Sequence, residues 1–236
     1  STDKETTWTS IGIDGEWFSC RFDSALNIQE SSDSSIAEKL QELLLLIQKE
    51  KPETDFQQAF TIKANFPLNW GLGSSSTLVS LLSQWSGVNP YFLLDNWLGG
   101  SGYDIACATA QTPIIYQLIG KEKAVKKVDI HPDLAKHILF VYSNKKQSSA
   151  DAIKTYRKKT INNDQVSFMS ELAEKALNTS LISEFEALMI DSENFMSEIL
   201  ETETIKSQHF SDYPHTIKSL GAWGGDFFMA TYRDLD

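Results

Sequence analysis

The sequence predicts a protein of mixed strands and helices that is organised in two parts. Apolar and polar residues alternate over residues 58–66, which is typical of a strand, whereas apolar residues recur at helical spacing over residues 36–47. With 236 residues the chain is long enough for one large domain or two small ones. We place a domain boundary near residues 131–136, which separates an N-terminal domain, residues 1–135, from a C-terminal domain, residues 136–236.

The first elements of the chain are a hairpin and a helix. Residues 7–22 predict two strands around Asp14-Gly15, which is a strong turn signal. Ser35 and Glu38 fit a capping box at the start of the helix that contains residues 36–47. We interpret the polar residues 30–35 as a lead-in to this helix.

The same periodicity arguments predict the remaining elements. In chain order they are a strand over 58–66, a helix from Ser74 to about Trp85, a short helix after Asn89-Pro90, a helix over 105–110, strands over 113–118 and 125–130, a strand over 137–142, a helix through Ile153 and Tyr156, helices over 164–178 and 180–201, a connecting segment with a short helix over 205–217, and a strand over 227–231.

Composition and charge argue against several classes of protein. The formal net charge of −11 disfavours a nucleic-acid binder, which would need a basic stripe. No apolar run approaches the roughly 20 residues of a membrane-spanning helix, and residues 1–5 lack the apolar core of a signal peptide. Cys20 and Cys107 are too few for a disulfide framework. We therefore expect a cytoplasmic protein that binds neither nucleic acid nor membrane. The sequence leaves its oligomeric state open between a monomer and a homodimer.

A first glycine turn, residues 71–76, joins a predicted strand to a predicted helix. It reads Gly71-Leu72-Gly73-Ser74-Ser75-Ser76. Glycine lets a backbone approach a ligand closely, and the first amides of a helix attract anions such as phosphate. The Ser75 hydroxyl is a candidate ligand for Mg²⁺. The turn is not a Walker A loop, and a plain strand–helix connection with serine caps is the alternative.

Two further glycine turns carry candidate site residues. The second, residues 99–104, ends in Ser101-Gly102-Tyr103-Asp104 and places a carboxylate at the start of a helix. Asp104 is either a base for a substrate hydroxyl or an acid that simply favours the helix dipole. The third, residues 218–226, contains Gly221-Ala222-Trp223-Gly224-Gly225, which either closes over substrate or forms a hairpin turn.

The three turns in this order resemble the GHMP kinases, the superfamily of galactokinase, homoserine kinase, mevalonate kinase and phosphomevalonate kinase. Residues 71–76 look like the family's nucleotide-phosphate loop, and residues 218–226 look like its C-terminal motif. The run Gly102-Tyr103-Asp104-Ile105-Ala106 is most similar to the mevalonate and phosphomevalonate branch. The resemblance covers roughly residues 56–231.

The resemblance implies an α+β fold of two domains. The N-terminal half would be like domain 2 of ribosomal protein S5 and would bind ATP, and the C-terminal half would be ferredoxin-like and lie on the substrate side. It also implies the following roles. Asp104 would be catalytic; Gly71, Leu72, Gly73, Ser74, Ser75 and Ser76 would bind the nucleotide; Ser75 would contact the metal; and Ser101, Gly102, Gly221, Ala222, Trp223, Gly224 and Gly225 would bind substrate.

The implied reaction is an ATP- and Mg²⁺-dependent transfer of the γ-phosphate to a mevalonate-type alcohol. Phosphomevalonate as a phosphate acceptor is an alternative, as are a catalytically silent nucleotide-binding or metabolite-binding member and an ATP-using decarboxylase. The partners expected are ATP and a small-molecule substrate.

The sequence departs from the family pattern in two places. The family's first motif, a strand and loop with a lysine and a Gly-Glu pair, has no counterpart before Trp8, and Gly15-Glu16 lies in the hairpin. We therefore expect a trimmed chain or an atypical member. The family's Mg²⁺ glutamate is also missing, and Asp95 is the nearest candidate.

Overall fold

The computed structural model describes residues 5–145, 149–221, 223 and 225–233, and these residues form two compact units. The first unit contains the described residues up to Leu68, together with Leu72–Gln111 and Tyr116–Val125. The second unit contains Asn69–Gly71, Thr112–Ile115 and the described residues from Lys126 onward.

A four-stranded sheet forms one layer of the first unit. Its strands are β1 (Thr6–Gly12), β2 (Gly15–Phe22), β3 (Ile28–Ser31) and β4 (Ala59–Lys63), in the order β3-β2-β1-β4. β1 pairs antiparallel with β2, which confirms the predicted hairpin, and pairs parallel with β4. β3 includes Glu30 and Ser31, the first two of the six residues that we interpreted as a polar lead-in, so that interpretation was wrong for these two residues.

Helix α1 (Ser34–Glu50) packs against β3 and α3, and its buried residues belong to the core of the first unit. Its apolar residues recur at three- and four-residue spacing and are buried: Ala37, Leu40, Leu43, Leu44 and Ile47. The predicted capping box at Ser35 is wrong, because the carboxylate of Asp33 accepts hydrogen bonds from the amides of Ser35 and Ile36. Asp33 thus satisfies donors that a helix start otherwise leaves unpaired.

Three further helices complete the first unit. They are α2 (Ser74–Ser86), α3 (Pro90–Trp97) and α4 (Tyr103–Thr109), and α2 packs against both α3 and α4. The Asn89 side chain caps α3 by accepting from the amides of Tyr91 and Phe92, and Pro90 occupies its first turn. The predicted helices in this region are confirmed.

A two-stranded sheet follows, with β5 (Ile114–Ile119) paired to β6 (Glu122–Lys127). We predicted the second strand over residues 125–130, and this was wrong by three residues. Gly120, with φ of 63°, and Lys121 form a two-residue turn, so the chain reverses and pairs again at once.

The second unit packs helices on a three-stranded sheet. After α5 (Pro132–Ala135) come β7 (Ile138–Tyr142), α6 (Ser149–Tyr156), α7 (Asn163–Asn178), α8 (Ile182–Leu200), α9 (Ile205–His209), β8 (Ile217–Ser219) and β9 (Phe227–Thr231). The sheet order is β7-β9-β8, and both pairings are antiparallel. Strand β8 was not predicted, because three residues are too few to show a period. No helix of the described residues is long and apolar enough to cross a membrane.

Candidate functional site

The first glycine turn ends in a helix start without a side-chain cap. Gly73 is the residue before α2 and lies in the left-handed conformation, with φ of 71°. The Ser76 hydroxyl donates to the carbonyl of Gly73 at 2.8 Å instead of capping an amide. Within the described residues, the hydroxyls of Ser74 and Ser75 make no hydrogen bond. The first amides of α2 can therefore donate to an anion, which the helix dipole also favours.

An apolar cavity of about 260 Å³ lies beside this helix start, within the first unit. Three tryptophans, Trp8, Trp17 and Trp97, line it together with leucines of α1 and α2, Leu68 and residues of the sheet. Ser74, Ser75, Lys39 and Lys63 supply polar groups to the same cavity. No acidic side chain of the described residues lines it. An aromatic cavity next to an anion site is a suitable place for a planar ring that carries phosphate groups.

The second glycine turn places Asp104 on the surface. Gly102 has φ of 85° and precedes α4, and the carboxylate of Asp104 lies in the first turn of that helix. Asp104 is exposed, and among the described residues no hydrogen bond or ion pair engages its carboxylate. Burial raises the pKa of the neighbouring Tyr103 to about 12, and a hydrogen bond to Cys107 acts in the same direction. The phenol of Tyr103 is therefore a hydrogen-bond donor and not a base at neutral pH.

Asp95, the nearest candidate for a metal carboxylate, is already engaged. Its Oδ2 lies 2.7 Å from the Nζ of Lys123. Within the part of the chain that the structure describes, no group of three or more His, Cys, Asp or Glu side chains could hold a metal ion. Ser75 lies in the first turn of α2, and its hydroxyl oxygen is of the ligand type that Mg²⁺ binds.

The third glycine turn lies in the second unit and is anchored at both ends. The buried carboxylate of Glu193, on α8, accepts from the amide of Ser219 at 2.9 Å and from its hydroxyl at 2.8 Å. Burial lowers the pKa of the adjacent Lys218, while the charge of Glu193 opposes that shift. At the other end the amide of Asp226 donates to the carbonyl of Lys145 at 2.7 Å.

The predicted substrate residues of this turn can be placed only in part. Gly221 and Trp223 have positive φ values of 54° and 56°, so the chain there follows a left-handed path. Gly225 is half-buried. Ala222 and Gly224 lie outside the described residues.

Within the second unit, Gly71, the first residue of the first turn, lies against Asp226 of the third turn. A Cβ added to Gly71 would lie 2.3 Å from the Cγ of Asp226, so the carboxylate fills the space that a side chain would need. Trp70 fixes this part of the chain, because its ring stacks on Tyr142 at 5.3 Å and meets Phe227 edge-on at 5.6 Å. The Tyr142 hydroxyl also donates to the carbonyl of Asn69.

The structure thus groups the predicted residues by unit. In the first unit, Leu72 and residues 73–76 lie at the start of α2, while Ser101, Gly102 and Asp104 lie at the start of α4, a helix that packs on α2. In the second unit, Gly71 lies beside the third turn. Sequence reasoning missed the tryptophan-lined cavity, since its walls come from β1, β2, α1, β4, α2 and α3, most of which are distant in the chain. It also missed the roles of Lys123 and Glu193, which no local pattern marks.

No protein-family model matches the sequence, and no curated protein matches it. Solved structures do share its fold. One is mevalonate kinase of L. major in complex with R-mevalonate, with a TM-score of 0.60 and 15% sequence identity over 86% of this chain and 70% of that chain. Another is galactokinase of Lactococcus lactis complexed with galactose, with a TM-score of 0.60 and 13% identity over 98% of this chain and 75% of that chain.

Both of these proteins are GHMP kinases, so the chain has the GHMP kinase fold, and the predicted fold class is confirmed. At these identities the likeness establishes the fold. Two kinases with different acceptors match it with the same TM-score, so the likeness does not select between an isoprenoid precursor and a sugar.

Proposed function

We propose that the protein is an ATP- and Mg²⁺-dependent kinase that transfers the γ-phosphate to a hydroxyl group of a small molecule. One observation carries this proposal: the uncapped amide end of α2 lies at the edge of an apolar, tryptophan-lined cavity. A nucleotide needs both features, an anion site for its phosphates and an apolar site for its base. The fold, shared with two kinases, supports the same conclusion.

In this proposal the first glycine turn binds the triphosphate. The free amides at the start of α2 donate to phosphate oxygens, and the hydroxyls of Ser74 and Ser75 add donors on the same face. Lys39 and Lys63 line the adjacent cavity and offset part of the nucleotide's negative charge. When bound, Mg²⁺ would neutralise phosphate charge, and Ser75 is the residue that we assign to it.

Asp104 acts on the acceptor. Its exposed carboxylate accepts the proton of the substrate hydroxyl and orients the oxygen for attack on the γ-phosphorus. The bond between the γ-phosphorus and the bridging oxygen of ATP breaks, and ADP leaves. Ser101 and Gly102 belong to the same turn, and we assign them, together with residues 221–225, to the substrate.

We propose a mevalonate-type alcohol as the acceptor. The support is the run Gly102-Tyr103-Asp104-Ile105-Ala106, which resembles that of the mevalonate and phosphomevalonate branch. The test measures ADP release with ATP, Mg²⁺ and each of four acceptors: mevalonate, phosphomevalonate, galactose and homoserine. Turnover with mevalonate supports the full proposal. Turnover with another acceptor supports a kinase activity but contradicts a mevalonate-type alcohol as its acceptor.

Calorimetric titration with ATP, with and without Mg²⁺, separates a kinase from a silent binding protein. We expect binding that depends on Mg²⁺. Binding without Mg²⁺ dependence and without turnover of any acceptor would instead indicate a silent member of the fold. Release of CO₂ from a diphosphorylated acid would indicate a decarboxylase.

A further inference from the structure

The side chain of Lys123 reaches from β6 across the second glycine turn. Its ammonium lies 2.7 Å from the carboxylate of Asp95, on α3, and 5.3 Å from the ring centroid of Tyr91. Only 14% of the Lys123 side chain is exposed, although lysine is usually among the most exposed residues. Lys123 is therefore held in one place by an ion pair and a cation–π contact at once.

The aliphatic part of Lys123 lies directly on Gly102. A Cβ on Gly102 would come within 2.9 Å of both the Cδ and the Cε of Lys123, and within 3.1 Å of the Tyr91 ring. Gly102 is buried and has φ of 85°. The lysine stem thus covers the side of Gly102 on which a Cβ would lie, and a residue larger than glycine would displace the stem.

The partner strand of the same hairpin holds the neighbouring residue. Tyr116, on β5, donates its hydroxyl hydrogen to the carbonyl of Ser101. Its ring meets that of Tyr103 edge-on, with centroids 5.7 Å apart. The hairpin therefore contacts each of the three residues that precede Asp104.

We propose that Lys123 and Tyr116 are positioning residues that fix the second glycine turn and thereby the carboxylate of Asp104. The inference rests on the proposed function, in which Asp104 is the base, and it names the residues that hold the Asp104 carboxylate in position. Phosphoryl transfer depends mainly on positioning and charge stabilisation, and a displacement of about 1 Å can cost about 100-fold in rate. Neither residue touches the reacting atoms in this proposal, since both act through the backbone of the turn.

The experiment compares Lys123→Met, Lys123→Arg and Tyr116→Phe with Lys121→Met. Lys121 is exposed in the turn of the same hairpin, so its substitution removes one positive charge without touching the second glycine turn. We expect Lys123→Met and Tyr116→Phe to lower kcat about 10- to 100-fold while the KM for ATP stays within about twofold. Lys123→Arg should recover much of the loss because it restores the pair with Asp95. A kcat equal to that of Lys121→Met, or an equal effect on kcat and the KM for ATP, would overturn the proposal.

A second measurement is independent of turnover. Hydrogen–deuterium exchange of the peptide that contains residues 99–107 should be faster in Lys123→Met and Tyr116→Phe than in the parent protein and in Lys121→Met. Unchanged exchange would overturn the positioning role even if the protein proved to be no kinase. Faster exchange in a protein without any turnover would support the role of Lys123 and Tyr116 in fixing the turn but would contradict the proposed kinase function.

Discussion

The carboxylate of Asp226 occupies the space beside the Cα of Gly71, a residue that lies 155 positions earlier in the chain. The position that a Cβ would take on Gly71 is 2.3 Å from Cγ and Oδ1 of Asp226. Both residues have positive φ values, 72° for Gly71 and 52° for Asp226. The first residue of the proposed nucleotide loop is thus held against the third glycine turn.

The first prediction concerns this contact. Gly71→Ala should lower the free energy of unfolding by about 1–3 kcal/mol, because the methyl group meets Asp226 and the left-handed backbone disfavours alanine. Urea denaturation followed by tryptophan fluorescence measures the change. Gly99→Ala is the matched control, since Gly99 has φ of 66° and open space around it. Its cost should be about 1 kcal/mol, from the backbone alone.

A double-mutant cycle with Asp226→Ala isolates the contact itself. The double variant should be more stable than the sum of the two single effects indicates, by about 0.5–3 kcal/mol. Additive effects would show that Asp226 does not crowd Gly71 in solution.

The second prediction concerns Asp104. Asp104→Asn should lower ATP turnover with the acceptor by about 100- to 10,000-fold, because the amide cannot take the hydroxyl proton. The dissociation constant for ATP, measured by calorimetry, should change little. Asp164→Asn is the control: Asp164 also lies in the first turn of a helix, α7, and is exposed. If Asp104→Asn and Asp164→Asn turned over ATP at the same rate, Asp104 would not be the base.

The third prediction concerns the cavity. Leu81→Trp should weaken ATP binding at least about tenfold, because the larger ring occupies space that the base needs. Leu45→Trp is the control, since Leu45 is 40% exposed on α1 and does not line the cavity, whereas Leu81 is 41% exposed on α2 and does. Equal affinities for the two variants would mean that the nucleotide base binds elsewhere.

The fourth prediction concerns the pH dependence of stability through Glu186, on α8. Burial opposes ionisation of this carboxyl group, but hydrogen bonds from Arg233 and Thr231 outweigh it and hold the pKa of Glu186 below its ordinary value. A lowered carboxyl pKa stabilises the fold at pH values above the unfolded-state pKa, about 4.3. That stabilisation is lost as the pH falls through the folded-state pKa.

Denaturation at a series of pH values between 3 and 7 tests whether the ionised carboxylate of Glu186 stabilises the fold. The free energy of unfolding should fall less steeply with acid in Glu186→Gln than in the parent protein. Glu198→Gln, an exposed position on the same helix, should keep the parent slope. The same slope in all three proteins would contradict a coupling between Glu186 and Arg233.

Much of the secondary structure is local and could be predicted. The hairpin over residues 7–22, the start of α2 at Ser74 and the start of α3 at Pro90 follow from turn residues, capping residues and apolar periods in adjacent positions. Elements that depend on a partner strand were missed or displaced. Strands β3 and β8 are short, and their pairing with β2 and β9 defines them more than their own residues do.

The three glycine turns, their order and the chemistry that their residues allow follow from the amino-acid sequence alone. The reason is that positive φ values at glycine and free amides at a helix start are properties of a few adjacent residues. Three other features emerge from the folded chain: Asp226 contacts Gly71, Lys123 covers Gly102 and pairs with Asp95, and three tryptophans line a cavity beside α2. Each of these contacts joins residues that are distant in the chain, and packing, which no local period records, brings them together.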